Sequence, residues 1–149
     1  MHSTSRRLFA LGTGLAAAGA ILPAAHAAAA AADGPTRNKV VFQMSDGDPS
    51  KWNLVLNNVR NFQTELPDDE SDLEVVAYGP GIGMLKGDSP VAHRIAETLK
   101  NGVKVVACEN TMRGMKLVYA DMLPDIGYAP AGVIEIVRKQ QQGYAYIRP

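Results

Sequence analysis

Apolar positions in this chain alternate between two spacings, and the alternation predicts the order of its secondary structure. Three apolar, β-branched runs are typical of buried strands: "KVVFQM" (39–44), "LEVVAY" (73–78) and "VKVVAC" (103–108). Between the first two runs, apolar residues recur at helical spacing and predict an amphipathic helix over residues 49–66. Asp48 followed by Pro49 is a typical cap and first turn for this helix. The charged stretch "PDDESD" after it is predicted to be a loop.

A second helix is predicted between the second and third strands. Ser89 and Pro90 repeat the cap-and-proline pattern, and an apolar stripe runs from Val91 to Leu99 before Gly102 ends the helix.

A third helix is predicted after the third strand, where Asn110 or Thr111 would cap it. It would end near Pro124, and its apolar positions would be Met112, Met115, Tyr119 and Met122. Such methionines suggest copper(I) only weakly, because their helical spacing is also that of core packing or of a subunit interface.

The last part of the chain is predicted to form a short strand, a helix and a final strand. The segments are "IGYAP" (126–130), "AGVIEIVRKQQQG" (131–143) and "YAYI" (144–147). "VIEIVR" also alternates as a strand would, but its continuation through three glutamines into Gly143 favours the helix. Strands that alternate with helices indicate parallel pairing, with helices on both faces of one sheet. The predicted class is therefore α/β, doubly wound, with a three-layer α/β/α arrangement around a mainly parallel five-stranded sheet.

The first 27 residues have the pattern of an export signal. The basic start "MHSTSRR" is followed by the apolar stretch "LFALGTGLAAAGAIL" and by the small-residue sequence "AHA" ending at Ala27. Arg6 and Arg7 favour a twin-arginine signal over an ordinary secretory one. The stretch is too short for a membrane span. We therefore predict a signal peptide over residues 1–27, an Ala-rich linker over 28–37, and one domain over 38–149 in the periplasm.

Length and composition limit the classes of function that the chain can have. The chain has 149 residues, enough for one domain with a proper core. Its 15 basic residues balance 15 acidic ones, and loss of Arg6 and Arg7 with the signal would leave the domain slightly acidic. A basic groove for nucleic acid is therefore not indicated.

Cys108 is the strongest candidate for chemistry. It is the one cysteine of the chain, so it cannot form an internal disulfide. It ends a predicted strand just before a helix, where backbone N–H groups favour a thiolate. Arg113 would add positive charge, whereas the adjacent carboxylate of Glu109 opposes thiolate formation. Cysteine at the end of an apolar strand is also often a buried packing residue.

Other candidate sites are less specific. His93, near the start of the second helix, is a possible acid or base but equally a surface histidine. The run "GPGIGM", with Gly79, Gly81 and Gly83, follows a strand as a phosphate-binding turn does, but it lacks the G-x-G-x-x-G spacing. Asp46 and Asp48 suggest a cation or simply a helix cap. One histidine and one cysteine without a carboxylate cluster do not indicate a metal site, and no cofactor is predicted.

The chain resembles the DsrE-type (DsrE/DsrF-like) family of small sulfur-metabolism proteins, in particular its exported single-domain members. The likeness spans residues 38–149 and is carried by five segments: "KVVFQMSDGDPSKWNLVLNNVRNF", "LEVVAYGPGIGML", "GVKVVACENTM", "ADMLP" and "PAGVIEIVRKQQQGYAYIRP". Its most specific parts are the "AC-x-NT" turn and the ending "GYAYIRP". The resemblance implies a DsrE-like domain that forms homo-oligomers, often trimers or hexamers, and a cysteine that accepts and passes sulfane sulfur. Cys108 is the position that matches.

One departure from the family pattern concerns the second strand. Related exported sequences often end it with a histidine, where this chain has Tyr78, so a Cys-His pair built from that turn is absent here.

Two hypotheses follow. In the first, the protein handles sulfur in the periplasm as a sulfurtransferase or a sulfur carrier, with a donor or acceptor protein as partner. Cys108 would hold a persulfide, supported by Asn110, Thr111 and Arg113. In the second, it is a non-enzymatic oligomeric binding or assembly module. Cys108 would then be structural, and a pocket around Tyr78 and "GPGIGM" would hold a small ligand.

Overall fold

A computed structural model of the protein describes residues 37–66 and 71–149. Five parallel strands form one sheet there: β1 (Asn38–Met44), β2 (Ser71–Ala77), β3 (Lys104–Cys108), β4 (Gly127–Ala129) and β5 (Ala145–Ile147). The helices are α1 (Pro49–Glu65), α2 (Ala92–Lys100), α3 (Glu109–Gly114) and α4 (Gly132–Gln141), with 3₁₀ helices at Gly79–Leu85 and Tyr119–Asp121. The predicted α/β class with a five-stranded parallel sheet is confirmed. The predicted signal (1–27), nearly all of the linker (28–37) and residues 67–70 lie outside the described residues.

The strand order explains why one face of the sheet differs from the other. The order is β4-β3-β2-β1-β5, so the chain steps in one direction from β1 to β4 and then returns to the far side of β1. Parallel crossovers are right-handed, which places the helices before β4 on one face and α4 on the other. All strands therefore end at the same edge, where α3 and α4 begin.

The larger part of the core lies on the face covered by α1, α2 and the first 3₁₀ helix. It contains Phe42, Trp52, Val75, Met84 and Ile95, among others. The face under α4 has a smaller apolar cluster: Val41, Val76, Val106, Ala129, Ile136 and Tyr144, with Tyr78 packed against it.

The predicted third helix is wrong in its length and its start. α3 begins at Glu109, so Cys108 and not Asn110 or Thr111 occupies the N-cap position, and the helix has only six residues. Lys116 has a φ of 57°, in the left-handed region, which ends the helical path soon after Gly114. Met112 and Met122 do pack in the core, but Met115 and Tyr119 are exposed.

Two further boundaries differ from the prediction. β2 starts at Ser71, inside the predicted charged loop, and ends at Ala77, so that Tyr78 follows the strand. α2 begins at Ala92, after Pro90 rather than at it. The Ser89 hydroxyl still accepts a hydrogen bond, from the N–H of Val91 at 3.3 Å. Within the described ranges, no helix is both long and apolar enough to cross a membrane.

Candidate functional site

Cys108 lies at the point where β3 ends and α3 begins, beside the start of α4. Its side chain is a free thiol with a relative exposure of 4%. The N–H of Asn110 donates to the carbonyl of Pro130 at 3.1 Å, which ties the start of α3 to the segment that leads into α4. The thiol therefore lies at the amino ends of two helices, whose backbone N–H groups favour negative charge.

The hydrogen bonds at the sulfur of Cys108 lower its pKa by more than burial raises it. Burial raises the pKa of the Cys108 thiol, since a thiolate is poorly solvated there. The Thr111 hydroxyl and the N–H groups of Gly132, Thr111 and Asn110 act in the opposite direction, and the pKa lies below its ordinary value. The expectation of a thiolate-stabilising helix start agrees with this geometry, and the contribution of Gly132 adds a second helix to it.

Thr111 is oriented to donate to the sulfur. Its Oγ1 accepts a hydrogen bond from the N–H of Gly79 at 2.9 Å. A hydroxyl has one hydrogen to donate; the Gly79 contact does not use it, and the hydroxyl forms a hydrogen bond with Cys108 that lowers the pKa of the thiol. Gly79 has a φ of +53°, which L side chains rarely adopt, and this conformation presents its N–H to Thr111. Gly79, which was predicted as a pocket residue, contacts Thr111 through its N–H.

Gly132 is required by the close approach of α4 to the site. A Cβ atom at this position would lie 3.1 Å from Cβ and Cδ1 of Tyr78 and 3.3 Å from Cβ of Cys108. Tyr78 and Cys108 thus flank the first residue of α4. Sequence reasoning missed Gly132, although a glycine at a helix start next to the predicted fourth strand was a visible signal.

Glu109 and Arg113 make contacts away from the sulfur. The Tyr119 hydroxyl donates to Glu109 Oε1 at 2.5 Å, and Arg113 Nη2 donates to Asn110 Oδ1. Both contacts are exposed to solvent. The backbone N–H of Asn110 is shared between the Pro130 carbonyl and the thiol, and the Asn110 side-chain oxygen accepts from Arg113.

The remaining predicted residues do not gather at the thiol. His93 is exposed on α2, and its Nε2 lies 3.7 Å from Glu97 Oε1. Gly81 and Gly83 pack against the core: an added Cβ would lie 2.4 Å from the Met44 carbonyl oxygen and 3.2 Å from the Trp52 ring, respectively. Close packing accounts for both glycines without a ligand.

No group of three or more metal-ligating side chains occurs in the part of the chain that the structure describes. Asp46 and Asp48 act at the start of α1 instead. Asp46 Oδ1 accepts from the N–H of Asp48 at 2.9 Å, and Asp48 Oδ1 accepts from the N–H of Ser50 at 2.8 Å.

The polar surroundings of Tyr78 were also missed by sequence reasoning. Burial and Tyr146 raise the pKa of the Tyr78 hydroxyl, while Arg148 and a hydrogen bond with Ser45 lower it, with a net increase. Tyr146 and Arg148 belong to the ending "GYAYIRP", which was noted as a specific motif but not assigned to a site.

Comparisons with known proteins agree with this fold. The model of the DsrE/DsrF-like family matches residues 24–149. The structure of MTH1491 from Methanobacterium thermoautotrophicum, a protein of unknown function, has 38% sequence identity and a TM-score of 0.72, covering 75% of this chain and 99% of that one. BT1422 from Bacteroides thetaiotaomicron (13% identity, covering 75% and 95%) and YchN from E. coli (12%, covering 75% and 99%) share the fold, each with a TM-score of 0.62. No curated protein matches the chain.

Proposed function

Because this chain belongs to the DsrE/DsrF-like family, whose role is related to sulfur relay, we propose that Cys108 accepts a sulfane sulfur and carries it as a persulfide. The observation that supports the proposal is the set of donors at the sulfur. Four N–H or O–H groups from three residues lower the pKa of Cys108 despite its burial. The same donors suit the terminal sulfur of a persulfide, which is also an anion.

The proposal also covers the cellular location and the oligomeric state of the carrier. The pattern of residues 1–27 supports export to the periplasm, with removal of the signal near Ala27. Homo-oligomers follow from the family resemblance, and α4 has exposed apolar side chains that such contacts would cover. A sulfur-donor or sulfur-acceptor protein completes the proposed relay.

One observation favours the second function, a binding or assembly module with a structural cysteine. Cys108 is only 4% exposed, which is typical of a cysteine that fills space. Under that alternative the thiol would neither gain sulfur nor react until the protein unfolds.

The test is the intact mass of the protein after incubation with polysulfide in the absence of reductant. The carrier is expected to gain one or more sulfur atoms, and the Cys108→Ser variant is expected to gain none while retaining its fold by circular dichroism. An unchanged mass, together with a thiol that resists alkylation until unfolding, would contradict the carrier and leave the module.

A further inference from the structure

The carboxyl end of the sheet carries a group of polar side chains that extends from β5 to Tyr78, which flanks Gly132 opposite Cys108. We call this group the polar edge: Gln43, Ser45, Tyr78, Tyr146 and Arg148. Strand pairing places its outer part on the α4 face. Tyr146 lies opposite Val41, which places Arg148, two residues later, beside Gln43 on the same face.

Tyr78 connects the polar edge to the thiol. Ala77, at the end of β2, pairs with residues of both β1 and β3, so the next residue, Tyr78, is placed between Ser45 and Cys108. The N–H of Tyr78 still donates to β1, to the Met44 carbonyl at 3.0 Å. The side chain of Tyr78 and that of Cys108 then meet on either side of Gly132.

Hydrogen bonds along the polar edge run in one direction, toward Tyr78. The Tyr146 hydroxyl donates to Gln43 Oε1 at 2.5 Å, and Gln43 Nε2 donates to Ser45 Oγ at 3.0 Å. Gln43 is 9% exposed, whereas Tyr146, at the outer end of the group, is 41% exposed. The Ser45 hydroxyl in turn forms a hydrogen bond with the Tyr78 hydroxyl, and this bond acts to lower the pKa of Tyr78.

Thr111 is hydrogen-bonded to the thiol itself: its oxygen accepts from Gly79, and its hydroxyl bond with Cys108 lowers the pKa of the thiol. Thr111 thus supplies a hydroxyl donor at Cys108 in addition to the backbone N–H groups, and Tyr78 brings a second hydroxyl to the same edge of the sheet. An environment that offers donors and few acceptors selects a ligand that is rich in acceptors.

The charges at this end of the sheet also favour a ligand that is rich in acceptors and negatively charged. Arg148 acts electrostatically on Tyr78, and among the described residues no carboxylate lies within ion-pair distance of Arg148. The carboxylates of this sheet face lie nearer the amino end of β2 and are held by lysines: Asp72 by Lys104 at 3.3 Å and Glu74 by Lys139 at 2.5 Å.

We propose that Arg148 and Tyr78 bind a small anionic sulfur donor, of the class of thiosulfate and inorganic polysulfide, and present it to Cys108. Arginine recognises oxyanions through two parallel N–H donors. The inference rests on the proposed function for the transfer that follows binding, but anion binding itself does not require transfer.

The transfer from thiosulfate balances without another reagent. The Cys108 thiolate attacks the outer, sulfane sulfur, and a new S–S bond forms at the cysteine. The S–S bond of thiosulfate breaks, sulfite leaves with the electron pair, and the persulfide anion remains on Cys108. Three negative charges are present before and after the step.

The test separates binding from transfer by using the Cys108→Ser variant, which cannot be sulfurated, and thiosulfate as the probe. Titration is followed by NMR at constant ionic strength, with sodium chloride as the blank. Adding Arg148→Gln is expected to weaken thiosulfate binding at least tenfold, Tyr78→Phe to weaken it severalfold, and Arg148→Lys to have an intermediate effect. Arg138→Gln, which removes a charge from the outer side of α4, is the matched control and should leave binding unchanged. Arg148 is exposed, so its variants are expected to fold.

A second measurement uses the native cysteine in the otherwise unchanged chain. The ratio of alkylation rates with anionic iodoacetate and neutral iodoacetamide reports local positive charge, and the thiolate fraction cancels in the ratio. Arg148→Gln should lower this ratio severalfold and Arg113→Gln should lower it less.

Each outcome decides between the proposals. Thiosulfate binding that is absent, or unaffected by Arg148→Gln, overturns the anion site even when the wild type gains sulfur from polysulfide. Binding that depends on Arg148, in a protein whose Cys108 never retains sulfur, keeps the anion site and rejects the carrier.

Discussion

At the scale of single residues, the reactivity of Cys108 depends on a few directed hydrogen bonds rather than on nearby charge. Arg113 was the expected source of positive charge, yet it donates to the Asn110 side chain. Thr111 has the clearer role because Gly79 fixes the direction of its hydroxyl. The sequence could predict Cys108 and Thr111, since the end of a strand and the start of a helix are local features. It contained a signal for Gly132, a glycine at a predicted helix start, but not for its contact with Cys108, because that contact depends on how α4 returns across the sheet.

Replacement of Thr111 should therefore change the reactivity of Cys108. Thr111→Val keeps the branched shape but removes the hydroxyl, and the pKa of Cys108 should rise because its largest favourable hydrogen bond is lost. Hydrogen bonds to charged groups contribute about 1.5–3 kcal/mol, so the rate of alkylation by iodoacetamide at pH 7 should fall about tenfold or more. The pH profile should move to higher pH, because the thiolate forms only above the raised pKa. Thr111→Ser should remain within about twofold of the wild type, and an unshifted profile for Thr111→Val would contradict the assignment.

At the scale of helices and strands, the sequence predicted the elements that have a local apolar pattern. It missed the boundaries that depend on contacts with residues far away in the chain. The helix over 49–66 was correct to within one residue. β2 was expected to begin later because Ser71 and Asp72 are polar, but Asp72 is held in the sheet by the hydroxyl of Tyr144, 72 positions further along the chain. The third helix was predicted from methionine spacing, which also occurs where side chains reach the core from irregular segments.

The start of α4 can be tested by a pair of glycine substitutions. Gly132→Ala places a methyl group within 3.1–3.3 Å of Tyr78 and Cys108, so the helix must shift. We expect a loss of about 1–3 kcal/mol in the free energy of unfolding, together with a higher pH midpoint for alkylation of Cys108.

Gly114→Ala is the matched control, at the end of α3. No atom lies within 4 Å of its added Cβ, and alanine favours helix by about 0.5–1 kcal/mol. Urea unfolding should show equal or increased stability for this variant, and equal losses for both variants would argue against close packing at Gly132.

At the scale of the whole molecule, the strand order gathers the site at one edge. Since all five strands run parallel, the residues after β1, β2, β3 and β5 meet at their carboxyl ends, although they are far apart in sequence. The alternation of strands and helices along the sequence was enough to predict that the strands are parallel and end at one edge. The unequal covering of the two faces was not predicted, because it depends on where β5 pairs.

The outer side of α4 is the feature of the whole molecule that best fits contact with a second copy. Val133, Ile134 and Val137 are 46–51% exposed, while the opposite side of α4 packs on the sheet. We expect the wild type to be oligomeric in solution, and Val137→Asp to shift it toward the monomer because a carboxylate would be buried in the contact. Leu54→Asp, at an exposed apolar position on α1, is the control and should keep the wild-type mass by analytical ultracentrifugation. Dissociation by Leu54→Asp with no effect of Val137→Asp would place the contact on the α1 face. That result would also leave the start of α4, and with it Cys108, outside the oligomer contact.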